Sequence, residues 1–157
     1  MSVQKNLQLE NEQWHRNTHI LELITYGQLQ IVTGQSSRNV KTMLDGCYTI
    51  LTTIGPLFSE EAIVERVRNG NTEKIKVENK GVNTKRFQVY FYNLSVANNH
   101  VVAAGNTDYD RKTRYQASQD AYNIVLATAF QLLQEVNAMG FNSKHKNPGY
   151  NAGISGN

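Results

Sequence analysis

The chain has one cysteine, Cys47, and two prolines among its 157 residues. A single thiol excludes an internal disulfide framework. Cys47 also lies among apolar residues at helical spacing, whereas a nucleophilic thiolate needs an electropositive, partly exposed setting, so an inert buried thiol is expected. Charge is scarce as well, at 18% against the usual ~25%. The net charge of +3 is too small to demand a polyanionic partner. Asn, Gln, Ser and Thr supply the polar surface instead. No run of 18 apolar residues occurs, which argues against a membrane-spanning helix. The opening "MSVQKNLQLENEQ" lacks the apolar segment of a signal peptide, so a cytoplasmic or virion location is expected. There is no fixed-period repeat, Gly-rich phosphate loop, Gly-x-Ser-x-Gly elbow or Cys-x-x-Cys pair. Neither a cofactor nor a catalytic activity is expected.

What is present suits one α+β domain over residues 1–141, followed by a polar Gly/Asn-rich arm over 142–157 that cannot form a core by itself. A chain of this length buries about 70% of its unfolded surface. The expected order is two N-terminal helices, a short third helix, a three-stranded antiparallel meander, a long C-terminal helix and the extended polar tail.

Leu7, Trp14, Leu21, Ile24 and Ile31 fall on one stripe of a helix over residues 7–32, with Gly34 as its C-terminal cap. Ser36 or Ser37 would cap the second helix, whose stripe runs from Val40 to Ile54 before Gly55 and Pro56 stop it. Ser59 with Glu60 and Glu61 has the form of a helix start, giving a short helix to about Arg68. Asn69, Gly70 and Asn71 break the chain. Ile75 and Val77 then alternate with Lys74, Lys76 and Glu78, the pattern of a half-solvated edge strand guarded by lysines. In "KRFQVYFYNLSV" the side chains Phe87, Val89 and Phe91 alternate with Gln88, Tyr90 and Tyr92, which predicts a central strand. A turn at residues 97–99 and a third strand ending at Gly105 would follow. Thr107 and Asp110 have capping-box spacing, and the apolar residues from Ala117 to Val136 wrap more than half of the last helix, which Gly140 ends.

Three groups of residues invite chemistry. His15, His19 and Glu22 share one helix face, yet the pattern lacks the Glu directly after the first His that a zincin motif needs, so a solvated polar face is the plainer reading and no metal is expected. Asp108, Asp110 and Asp120 could hold Mg²⁺, but they sit where a helix N-terminus attracts carboxylates anyway. Basic residues gather as Lys74, Lys76, Lys80, Lys85 and Arg86 on the meander and as Arg111, Lys112 and Arg114 at the last helix. With Tyr90 and Tyr92 between them, Lys85, Arg86, Arg111, Lys112 and Arg114 could form a phosphate-tracking face with stacking platforms. The order helix, three strands, helix over residues 60–136 resembles a double-stranded-RNA-binding domain, which would imply recognition of an RNA duplex. That family carries a Lys-Lys-x-Ala-Lys run at its last helix, and "DRKTRYQASQD" has charges of both signs without it.

The expectation that combines these features is a non-catalytic structural or assembly subunit of a homo-oligomer, most concretely a phage virion component such as a head-to-tail connector or tail protein. Its partners would be further copies of the chain and other assembly proteins, with nucleic acid second and no membrane. The residues expected at the interface are Trp14, Leu21 and Ile24 on the first helix, Tyr122, Phe130 and Leu133 on the last, and Tyr150 in the arm. A small nucleic-acid-binding module is the alternative.

Overall fold

A computed structural model describes residues 3–141, with side chains from residue 11 onward. The expected arm over 142–157, and Tyr150 with it, lies outside the described residues. The fold is α+β. Helices α1 (Val3–Ser37) and α2 (Val40–Ile54) are followed by strands β1 (Ser59–Arg68) and β2 (Asn71–Lys80), then by helices α3 (Lys85–Ala104) and α4 (Arg111–Ala138).

α1 and α2 form an antiparallel hairpin with almost no loop. Asn39 N–H donates to Gly34 O at 2.7 Å and Arg38 N–H to Gln35 O at 3.2 Å, which is the Schellman closure of a helix end. Arg38 takes the left-handed position at φ 56° that glycine usually fills. Asn39 then caps α2, its side chain accepting from Thr42 N–H. The cap is therefore Asn39 rather than Ser36 or Ser37, and α1 runs through Gly34 instead of stopping there. Gly34 has a different task. A Cβ on it would lie 2.7 Å from both the Met43 backbone nitrogen and the Met43 side chain, and one on Gly46 would lie 2.6 Å from Gly27 O. The two helix backbones touch at these glycines.

α2 is the centre of the molecule. Met43, Leu44, Cys47, Ile50, Leu51 and Ile54 are all buried, and α2 meets α1, α3 and α4. α3 and α4 form a second antiparallel pair, which contributes Leu94, Ala97, Val125, Ala129, Leu132 and Val136 to the same core. α4 is capped at its start by Asp110, which accepts from Thr113 N–H at 2.7 Å, and closed at its end by Gly140 at φ 82°. The capping-box spacing puts the cap at Thr107; α4 instead starts three residues later with Asp110 as the cap, while Gly140 closes it as expected.

Two expected elements exchange their secondary structure. Residues 59–68 form β1 and no short third helix. They pair one-to-one with residues 71–80, from Ser59 opposite Lys80 to Arg68 opposite Asn71. Asn69 and Gly70, at φ 52° and 80°, make the tight turn between them, since both central residues of a type I′ turn need positive φ. Residues 85–104, expected as two strands and a turn, are the single helix α3, so the sheet has two strands and no meander. The resemblance to a double-stranded-RNA-binding domain rested on that meander and ends with it. The reason lies in a helical stripe, Phe87, Tyr90, Leu94, Ala97 and Val101, which faces the core at spacings of three and four. Exposed Val89, Phe91 and Tyr92 had hidden it behind a period of two.

Replacing Gly46 by Ala forces a methyl group into backbone atoms of α1. A loss of about 1–3 kcal/mol is expected, read as a lower denaturation midpoint in urea. Gly105→Ala is the control: Gly105 has an ordinary φ of −91° and its Cβ would meet nothing closer than 3.7 Å. That variant should stay within about 1 kcal/mol of the parent.

Candidate interaction surfaces

The β1–β2 hairpin joins the helical body at its base and touches it little beyond that point. Gly81 N–H donates to Phe58 O at 3.0 Å, closing the base. Glu60, on the first turn of β1, reaches across to α3, where its carboxylate accepts from Lys85 N–H at 2.8 Å and Arg86 N–H at 3.0 Å. Thr84 caps the same helix end by accepting from Phe87 N–H, and its hydroxyl donates to Gly81 O. The carboxylate that looked like a signal for its own helix thus serves the N-terminus of another.

Past the base, the hairpin has two unlike faces. Side chains directly opposite each other share a face. One face carries Ala62 opposite Val77, Val64 opposite Ile75, and Arg66 opposite Glu73, with an Arg66 Nε to Glu73 Oε1 bond of 3.0 Å. This face is largely half-buried. The other carries Glu61, Ile63, Glu65 and Val67 on β1 against Glu78, Lys76, Lys74 and Thr72 on β2, all exposed. Ile63 is 67% and Val67 73% exposed.

α1 provides a second projection. The Gly34–Met43 and Gly27–Gly46 contacts run antiparallel, so Ile54 at the end of α2 falls opposite about residue 20 of α1. Residues 11–16 lie beyond that end and are all exposed. Trp14 is among them, at 61% exposure, edge-on to the His15 ring. His19 and Glu22 are exposed on the same helix. Among the described residues no group of three or more His, Cys, Asp or Glu is placed to hold a metal ion.

The other expected interface residues divide. Ile24 is buried in the core against α2 and cannot meet a partner, while Leu21, Tyr122 and Leu133 are half-buried. The Arg38 guanidinium stacks on the Tyr122 ring at 4.4 Å. Phe130 is half exposed on α4. A surface not foreseen as one lies where α2 and α3 meet. Phe87 stacks on Phe91 at 6.1 Å, and Tyr48 meets Phe91 edge-on at 6.3 Å. Phe91 is half exposed there, and Tyr92 and Val89 are exposed further round α3.

The basic residues do not form one face. Arg86 lies beside Glu60 and Glu135, 3.3 Å from Glu135, near the C-terminal end of α4. Arg111 and Lys112 are at the other end of the same helix, about 36 Å away along its axis. Lys85 is exposed. Arg114 is half-buried with its Nε lacking a hydrogen-bond partner among the described residues. Tyr90 donates to Glu135 at 2.9 Å and lies against Phe58, leaving Tyr92 as the more exposed ring of the expected pair. An open cleft of about 400 Å³ lies between the α1–α2 turn at Arg38 and Asn39 and the α3–α4 pair at Val101 and Ser118.

Burial sets the chemistry of two groups. It pushes the Cys47 thiol up to about 12, and the thiol makes only a long contact of 3.8 Å with Val125 O. Burial, together with the bond to Glu135, also lifts the Tyr90 phenol to about 12. A raised phenol favours the folded state while neutral, so this contribution is intact below pH ~10 and lost as the pH rises toward 12. The difference in stability between the parent and Tyr90→Phe should therefore shrink between pH 10 and 12, measured by urea denaturation. Cys47 should react with an aromatic disulfide reagent only at the rate of unfolding, and fast labelling of the native protein would contradict its burial.

No protein-family model matches the chain, and no curated protein or solved structure matches it with significance.

Proposed function

We propose that the chain is a non-catalytic structural subunit that assembles with copies of itself, most concretely a component of a phage virion such as a head-to-tail connector or tail protein. One observation carries the reading. Apolar side chains stand exposed on projections that no other described residue of the chain covers: Trp14 on α1, and Ile63 and Val67 on the hairpin. Scattered exposed apolar residues are ordinary on a monomer. Here they lie on a helix segment beyond its partner helix and on a lone two-stranded ribbon, a structure that is at best marginally stable by itself in water. Shared cover between subunits supplies the missing contacts.

The test is the solution mass of the purified full-length protein by light scattering, with the 260/280 nm absorbance ratio recorded across the same peak. A defined multiple of 17.7 kDa free of nucleic acid is the expected outcome. A monomer carrying nucleic acid that high salt removes would replace this reading with nucleic-acid binding through the separated basic clusters. Phe130→Asp gives a second readout: because Phe130 is half exposed, the variant should keep the parent's helical circular dichroism while its assembled mass falls.

A further inference from the structure

We propose that the hairpin joins subunits edge to edge, β2 of one copy against β1 of the next, so that a continuous antiparallel sheet runs through the assembly. This rests on the homo-oligomeric reading above and names the surface and the partner for it.

Among the described residues, no further strand pairs with either outer edge of the hairpin. The ladder is unbroken for ten residues on each strand, with no bulge in its register, and neither strand contains proline. Bulges, prolines and short edge strands are the usual devices that stop a sheet from recruiting another chain. Lysines on β2 are the remaining obstacle, and they define which strand is admitted. On the fully exposed face β1 carries only Glu61 and Glu65, whereas β2 carries Lys74, Lys76 and Lys80 with Glu78. The two edges are opposite in charge. Toward the tip of the half-buried face the signs reverse, Arg66 and Arg68 on β1 against Glu73 on β2, and the edges again complement each other.

This pattern selects one arrangement. Pairing two copies through their β1 strands sets two acidic edges side by side on the exposed face, and pairing through β2 sets two lysine-rich edges together; edges of like sign oppose the ladder. A β2-to-β1 contact with Glu61 opposite Lys80 sets Glu65 opposite Lys76 and Arg68 opposite Glu73, so both faces are complementary. It also places Val67 and Ile63 of one copy beside the aliphatic stems of the next copy's lysines, covering apolar surface that the single chain leaves wet. Such a contact is heterologous: every added copy presents a fresh β2 edge, so the assembly grows until rotation between subunits closes a ring.

The experiment uses two charge-reversed full-length variants. One carries Lys74→Glu and Lys76→Glu, making its second strand acidic; the other carries Glu61→Lys and Glu65→Lys, making its first strand basic. Each alone opposes like charges at every β2-to-β1 contact and should sediment as a monomer, while retaining helical circular dichroism because the altered side chains are exposed. Mixed in equal amounts, the variants restore complementarity at every alternating contact, and the mass should return to an oligomer containing both. The Glu65–Lys74 pairing within each hairpin stays mismatched in the mixture, so recovery reports contacts between chains. A third variant, with residues 60–79 replaced by a short turn across the Phe58–Gly81 base, should be monomeric. If the parent assembles and the shortened variant or the reversed variants keep its full mass, the edge contact is overturned and assembly through another surface stands. Reversed variants that dissociate but do not reassemble on mixing also overturn it. A parent that is itself monomeric overturns both this proposal and the reading it rests on.

Discussion

The close approach of α1 and α2 at Gly27, Gly34 and Gly46 is the constraint on which the rest depends. With no side chain at these three points, the α1 and α2 backbones come into direct contact, and Ile31, Met43 and Ile50 fill the flanks. One side of α2 is thereby closed by α1. Its remaining surface is free to take α3 and α4, and the core of Leu44, Cys47, Leu51, Leu94, Val125 and Leu132 grows there. Gly55 continues the same device at the end of α2, where a Cβ would strike the Phe87 ring at 2.7 Å. The helix thus stops against α3, and the chain leaves the body as a hairpin at that point.

The base of that hairpin is also where the electrostatics converge. Glu60 caps α3 from a neighbouring strand, Arg86 lies between Glu60 and Glu135, and Tyr90 donates to the other oxygen of Glu135. Arg86 also reaches over the Phe58 ring at 5.3 Å. Each exposed ion pair alone is worth little, about 0–1 kcal/mol. Their effect is positional: α2's end, β1, α3 and α4 are tied within one small network, so the hairpin leaves the bundle in a fixed direction. A projecting element that is rigidly rooted can present its edges in one orientation.

The helical body was largely legible in the sequence because its stripes are clean. α2 and α4 could be read from their apolar spacing, and Gly140 from the chemistry of helix ends. Legibility failed where local chemistry served a distant partner. Ser59 and Glu60 resemble a helix start, but Ser59 donates to Glu78 across the sheet and Glu60 caps α3. The signal that could have corrected this was Asn69-Gly70, a strong hairpin turn between two ten-residue runs, of which the second had already been recognised as a strand. Gly34 misled for a related reason, since a glycine near a helix end and a glycine at a helix crossing look alike in one dimension. Of the residues expected at an interface, Trp14 and Phe130 are exposed, whereas Ile24, on the inner side of the same α1 stripe, is buried.

The misreading of α3 bears on function as well as on fold. A helix whose polar face were polar would have shown Phe87, Tyr90, Leu94, Ala97 and Val101 plainly. What obscured them were Val89, Phe91, Tyr92 and Val102, apolar residues that α3 leaves about half or more exposed, although Phe91 also packs on Phe87 and Tyr48. Places where a sequence breaks its local rules without a folding reason are where function is to be sought. The same holds for Trp14 beyond the end of α2 and for Ile63 and Val67 on a ribbon with no second layer. These departures occur on α1, on the hairpin and on α3, and each leaves apolar area exposed. Contacts between neighbouring subunits, as proposed above, would cover them together.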